Sequence, residues 1–164
     1  MFSPDLTALA TRTLEICRAQ RLMVATAESC TGGLIAAALT EIAGSSDVVD
    51  RGFVTYSNDA KQQALGVPVE ILKAHGEVSE PTARAMAEGA LGRSAAQIAV
   101  SCTGIAGPGG ATAGKPVGLV HLACARTGKP TLHLRREYGT IGRSEVRAAT
   151  VADALHLIIR QAEA

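Results

Sequence analysis

Three short apolar runs, residues 22–27, 48–56 and 96–102, each stop abruptly at small or polar residues, and after the first two a helical pattern takes over. That alternation limits the chain to folds in which strands are linked by helices that pack back onto a shared sheet. Apolar positions at Leu6, Leu9, Ala10, Leu14 and Cys17 predict an amphipathic helix over 5–18, with Ser3 and Pro4 as cap and first turn. Further helices are expected over 34–43 and over 61–65, the latter capped by Asn58 or Asp59. One more opens at Val67-Pro68 and closes at Gly76, and a longer one runs from Ser79-Glu80-Pro81 to Leu91. Gly52 interrupts the second apolar run and predicts a bulge there. Strands are expected over 117–125 and 131–138, the second alternating polar and apolar as an edge strand does, before a final helix over 144–162. The expectation is a single three-layer α/β/α domain over residues 1–164, with a mainly parallel or mixed sheet.

Such a core must be built almost without rings. Aromatic residues are 2% of the 164 and Trp is absent, so Ala, Val, Leu and Ile have to fill it, which suits a close-packed sheet covered by helices. The net charge of +1 gives no electrostatic reason to bind nucleic acid, and the few rings leave no base-stacking platform. No apolar run approaches the roughly 20 residues a bilayer span requires, and the first 20 residues lack the pattern of a signal peptide. Cys17, Cys30, Cys102 and Cys124 show no CxxC spacing and read as reduced, mostly buried small hydrophobes; a cytoplasmic location follows. His75, His121, His133 and His156 lack metal-ligand spacing, so no metal is expected.

Chemistry concentrates at the chain's irregular points. Ser29 stands where the first strand turns into a helix, an exposed position at the carboxyl edge of an open sheet. A helix beginning near Thr31 would aim free N–H groups and its positive end at that spot, as an oxyanion hole does, while Gly32 and Gly33 allow close approach of substrate. Alternatively, Ser29 and Thr31 only cap the helix. The pattern is not the GxSxG elbow, and Cys30 is a competing nucleophile.

Tyr56 and Lys61 flank a second strand-to-helix junction, which shares an edge with the serine turn if the two strands are neighbours. Lys61 can take a proton from serine only when uncharged, which needs its pKa lowered from about 10.4 to ~7–8, roughly 4 kcal/mol of desolvation or nearby positive charge. The bland reading is a solvated lysine and a half-buried tyrosine. No His and Asp pattern marks a Ser-His-Asp triad, with His75 and His121 left open. The stretch from Thr103 to Pro116 carries five glycines, and its consecutive N–H groups suit an anion, with Arg143 as a phosphate partner and Arg147 one turn further on. It is neither a P-loop nor GxGxxG.

AESCTGG (27–33), AGSSDVVDRGFVTYSNDAK (43–61), GEVSEPTA (76–83), SCTGIAGPGG (101–110) and KPVGLV (115–120) occur in this order. Together they closely resemble the CinA carboxy-terminal domain family, the nicotinamide-nucleotide amidases, over about residues 5–160, in its stand-alone form. The resemblance implies deamidation of nicotinamide mononucleotide to nicotinate mononucleotide and ammonia, with no cofactor, in a homo-oligomer. It implies Ser29, Lys61 and Tyr56 as catalytic residues. Cys30, Thr31, Gly32, Gly33, Asn58, Thr103, Gly104, Ile105, Ala106, Gly107 and Arg143 would contact the nucleotide. The family's Gly-Asp-Arg before the last helix is here Ile141-Gly142-Arg143, so only the arginine matches. The alternative is a non-catalytic nucleotide-binding regulatory module of the competence/damage-inducible type.

Overall fold

Ser3 opens the first helix as expected: its hydroxyl accepts from the N–H of Leu6 at 3.2 Å, and Pro4 fills the first turn, where its missing donor costs nothing. The computed structural model describes residues 2–164. Helix α1 (Pro4–Ala19) leads into strand β1 (Val24–Glu28), all five residues of which are buried. Helix α2 (Leu34–Thr40) and a 3-10 turn at Ser45–Asp47 precede β2 (Val49–Val54). Three helices follow, α3 (Asn58–Leu65), α4 (Val69–His75) and α5 (Glu80–Gly92). The chain ends with β3 (Ile98–Gly104), β4 (Leu119–Arg126), β5 (Lys129–Glu137) and α6 (Arg143–Ala162).

The sheet is open and mixed, in the order β2-β1-β3-β4-β5. Strands β2, β1 and β3 run parallel, whereas β4 and β5 are antiparallel additions, with β5 at the edge as its alternation predicts. Leu14, Ile35, Leu39, Leu155 and Ile158 from α1, α2 and α6 pack on one face against Val100 and Leu122. The other face is covered by α3, α4 and α5 through Leu65, Leu72 and Met86. There the aliphatic composition has a direct consequence: Ala83 and Ala87 of α5 lie on Ala123 and Ala125 of β4, small on small, so helix and sheet approach closely. Gln161 on α6 donates to the carbonyls of Cys124 and Pro130, and Arg126 returns bonds to the carbonyls of Gln161 and Ala162, which fastens the last helix to β4 and β5.

Several boundaries differ from expectation, each for a local reason. Helix α3 starts one turn early because Ser57, in extended conformation, caps it by accepting from the N–H of Ala60 at 3.0 Å, so neither Asn58 nor Asp59 is the cap. The irregularity in β2 lies at Asp50, since Val24 pairs with Val49 and Ala25 already pairs with Arg51. Gly52 is there for close packing instead. A Cβ at that position would meet the Thr26 hydroxyl at 2.9 Å and the Ala36 Cβ at 3.2 Å. The second helix stops at Thr40, short of the expected residue 43, where the Thr40 hydroxyl bonds back to the Ala36 carbonyl.

Thr55, just past β2, has a fully buried hydroxyl with no hydrogen-bond partner among the described residues. A buried unsatisfied hydroxyl costs about 1–3 kcal/mol. Thr55→Val keeps the shape and removes that atom, so thermal unfolding should show a melting temperature equal to or above that of the unmodified protein.

Candidate active site

Because β2, β1 and β3 are adjacent and parallel, their carboxyl ends converge on one edge of the sheet. The serine turn follows the middle strand, the Tyr56-to-Lys61 segment follows one neighbour, and the glycine loop follows the other. Between them lies a cleft of about 390 Å³. Its wall carries Ser29, Cys30, Tyr56, Asn58, Lys61, the segment from Thr103 to Gly107, and Arg143.

Lys61 is 1% exposed, and its Nζ donates to Ser29 Oγ at 3.1 Å and to the Thr55 carbonyl at 2.9 Å. Burial lowers its pKa from 10.5, opposed by the negative charge of Glu77. Desolvation therefore favours the uncharged amine. Tyr56 stands apart: it is 59% exposed, and its hydroxyl accepts from Arg143 at 2.9 Å instead of touching Ser29 or Lys61. Arg143 also donates to the Gly107 carbonyl at 2.9 Å, so one guanidinium ties the tyrosine segment to the glycine loop.

Glu28 reverses the expectation for the helix start. Its carboxylate is completely buried and accepts from five donors. These are the Thr26 hydroxyl at 3.2 Å, the Thr31 hydroxyl at 2.6 Å, and the N–H groups of Gly33, Ile35 and Ala36 at 3.1, 3.0 and 2.9 Å. The free donors of α2 and its positive end are thus spent on an internal carboxylate. Within the turn, the N–H groups of Cys30 and Thr31 have no backbone acceptor among the described residues; Cys30 lines the cleft, whereas Thr31 is fully buried.

Thr31, Gly32 and Gly33 do not reach the cleft. Thr31 is buried beneath the turn, with its hydroxyl 3.0 Å from the Cys102 sulfur as well as bonded to Glu28. Gly32 and Gly33 adopt φ of 60° and 102°, a left-handed path that bends the chain into α2 and that other residues resist. Arg147, weighed in sequence as a phosphate partner, instead donates to the carbonyls of Cys30 and Thr31 and braces the turn from behind. Cys30 touches the cleft but packs into the core, and no base faces it as Lys61 faces Ser29. Contact with Cys30, then complete burial, pushes the Cys102 thiol well above its usual range. Neither His75 nor His121 lines the cleft. His121 stacks on His133 across β4 and β5, where burial and its neighbour push it down to about 4.

Two contributors were not legible as site residues. Glu28 has one local signal, an acid at a strand end five to eight residues before the amides of a helix start, which is a capping arrangement on a longer span. Glu77, also on the cleft wall, lies 48 residues from Ser29 in a short turn, and no spacing rule points to it.

The chain matches the model of the CinA C-terminal domain over residues 6–162. It is 50% identical over 137 residues to a CinA-like protein of Syntrophobacter fumaroxidans and 53% identical over 137 residues to one of Mycolicibacterium gilvum, covering 84% of this chain in each case. It spans about a third of those relatives' length, 32% of each. Among solved structures, the competence/damage-inducible protein CihA of Agrobacterium tumefaciens superposes with a TM-score of 0.95 at 59% identity, over 98% of this chain and 97% of that one. A competence or damage-inducible protein of Enterobacter asburiae gives 0.90 at 29% identity, over 96% and 98%. None of the described helices is long and apolar enough to cross a membrane. Matched by the family model from residue 6 to residue 162 and in structure over 98% of its length, the chain belongs to the CinA C-terminal domain family.

Proposed function

We propose that the chain is an amidohydrolase that converts nicotinamide mononucleotide and water into nicotinate mononucleotide and ammonia. One observation carries this reading: a buried lysine with a lowered pKa, its Nζ 3.1 Å from the hydroxyl of a serine on a cleft wall. A structural role explains it poorly, since burying an amine costs several kcal/mol that a hydrophobic residue avoids.

Lys61 takes the Ser29 proton as Oγ attacks the carboxamide carbon, and the oxyanion is received by the N–H group of Cys30, on the cleft wall. The C–N bond then breaks as the Lys61 ammonium returns the proton to the leaving amine, releasing ammonia. Water, deprotonated by Lys61, attacks the acyl-enzyme and regenerates Ser29. At the mouth of the cleft the Tyr56 hydroxyl holds Arg143 in place. Arg143 and the amides of the glycine loop bind the phosphate, and Asn58 contributes a polar contact. The family likeness adds a cytoplasmic homo-oligomer to this reading.

Incubation of purified protein with nicotinamide mononucleotide, with ammonia measured across pH, tests the proposal. Because the base form of Lys61 is required, kcat/KM should rise with pH through a single limb lying below the 10.5 of free lysine. Saturable binding without ammonia would instead point to a regulatory nucleotide-binding module.

A further inference from the structure

The cleft holds two side chains of cationic type, Lys61 and Arg143, and one carboxylate, that of Glu77. Glu77 sits in the turn between α4 and α5, whose backbone is firmly held. The Thr103 hydroxyl donates to the Glu77 carbonyl at 2.6 Å, and the hydroxyls of Ser79 and Thr82 donate to the Gly76 carbonyl at 2.9 and 2.7 Å. The side chain, by contrast, is exposed and forms no ion pair among the described residues, whereas Asp47, Asp50, Glu80 and Asp153 all pair with arginines. The negative charge of Glu77 acts on Lys61 against the effect of burial, yet a general base must be uncharged at rest, and Arg143 is engaged by Tyr56 and Gly107. Glu77 therefore faces the cleft without a partner. Val78 and Ile105 line the same cleft and give a flat ring an apolar contact.

We propose that Glu77 is the counter-charge for a cationic ring: it selects carboxamides carried on an N-substituted pyridinium over uncharged carboxamides of the same shape. The inference rests on the amidase reading for the identity of the substrate, and names the residue that chooses among its analogues. It also suits turnover, since hydrolysis creates a second carboxylate near Glu77 and like charges favour product release.

The test is binding, measured by calorimetric titration in the Ser29→Ala background so that no turnover intervenes. Nicotinamide mononucleotide, with its cationic ring, is compared with its 1,4-dihydro form, which keeps the amide, ribose and phosphate but has a neutral ring. Adding Glu77→Gln should weaken the cationic form about fivefold, the scale of one partly exposed charge pair, and leave the dihydro form unchanged. Raising sodium chloride from low concentration to 0.5 M should shrink the difference. Equal weakening of both forms, no change in either, or failure of both to bind would overturn the proposal. The two readings fail separately. Charge-selective binding in a wild-type protein that releases no ammonia would keep Glu77 and end the amidase, whereas ammonia release with charge-blind binding would do the reverse.

Discussion

Ser29→Ala should abolish ammonia release from nicotinamide mononucleotide, with kcat lower by about 10,000-fold or more, while nucleotide binding stays within a few fold of wild type. The expectation follows from what the hydroxyl touches. Its one side-chain partner is Lys61, and the turn that carries it is held by other groups, Glu28 and Arg147 among them. Removing Oγ therefore deletes the proposed nucleophile without loosening the site. Cys30→Ala is the paired control. Cys30 touches the same cleft, but the lysine serves its neighbour, so this variant should retain activity within about tenfold. Each arm has a fatal outcome for the serine mechanism: undiminished turnover by Ser29→Ala, or a dead Cys30→Ala that folds and binds normally.

The second large effect is expected at a buried residue that does not line the cleft. Glu28→Gln replaces a carboxylate that accepts from five donors with an amide that has one oxygen and two donors of its own. At complete burial no water replaces the lost acceptors, and hydrogen bonds to a charged group are the strong ones. A loss of about 3 kcal/mol is expected, which in a chain of this size lowers the melting temperature by roughly 6–12 °C. Thr26→Val removes only one of the five donors and should cost far less. If Glu28→Gln melted within a degree of wild type, the carboxylate would not be what holds the serine turn.

The fold class was readable because strand and helix differ in period, and because a chain nearly free of rings has few ways to fill a core. Ser29 and the glycine loop were readable for a related reason: each begins where the hydrophobic pattern of a strand stops, and Lys61 lies on the helix that follows another such stop. Boundaries were less accurate where two residues compete for one role, as Ser57 did with Asn58 and Asp59 for the cap of α3. The amides at the start of α2 were expected to be free because a helix start taken alone does present free amides. Nothing local states that the residue just before the serine curls back to occupy them.

By itself, then, the sequence determined which segments are strands and helices and which small-residue turns interrupt them, since these depend on neighbours a few positions apart. Only the tertiary structure decided that β1 lies between β2 and β3, so that three turns separated by tens of residues share one edge. It also decided that Lys61 is buried against Ser29 while Tyr56 faces outward to Arg143. Desolvation, proton affinity and the partner of each charge are properties of the surrounding volume, and that volume exists only once distant segments have packed together.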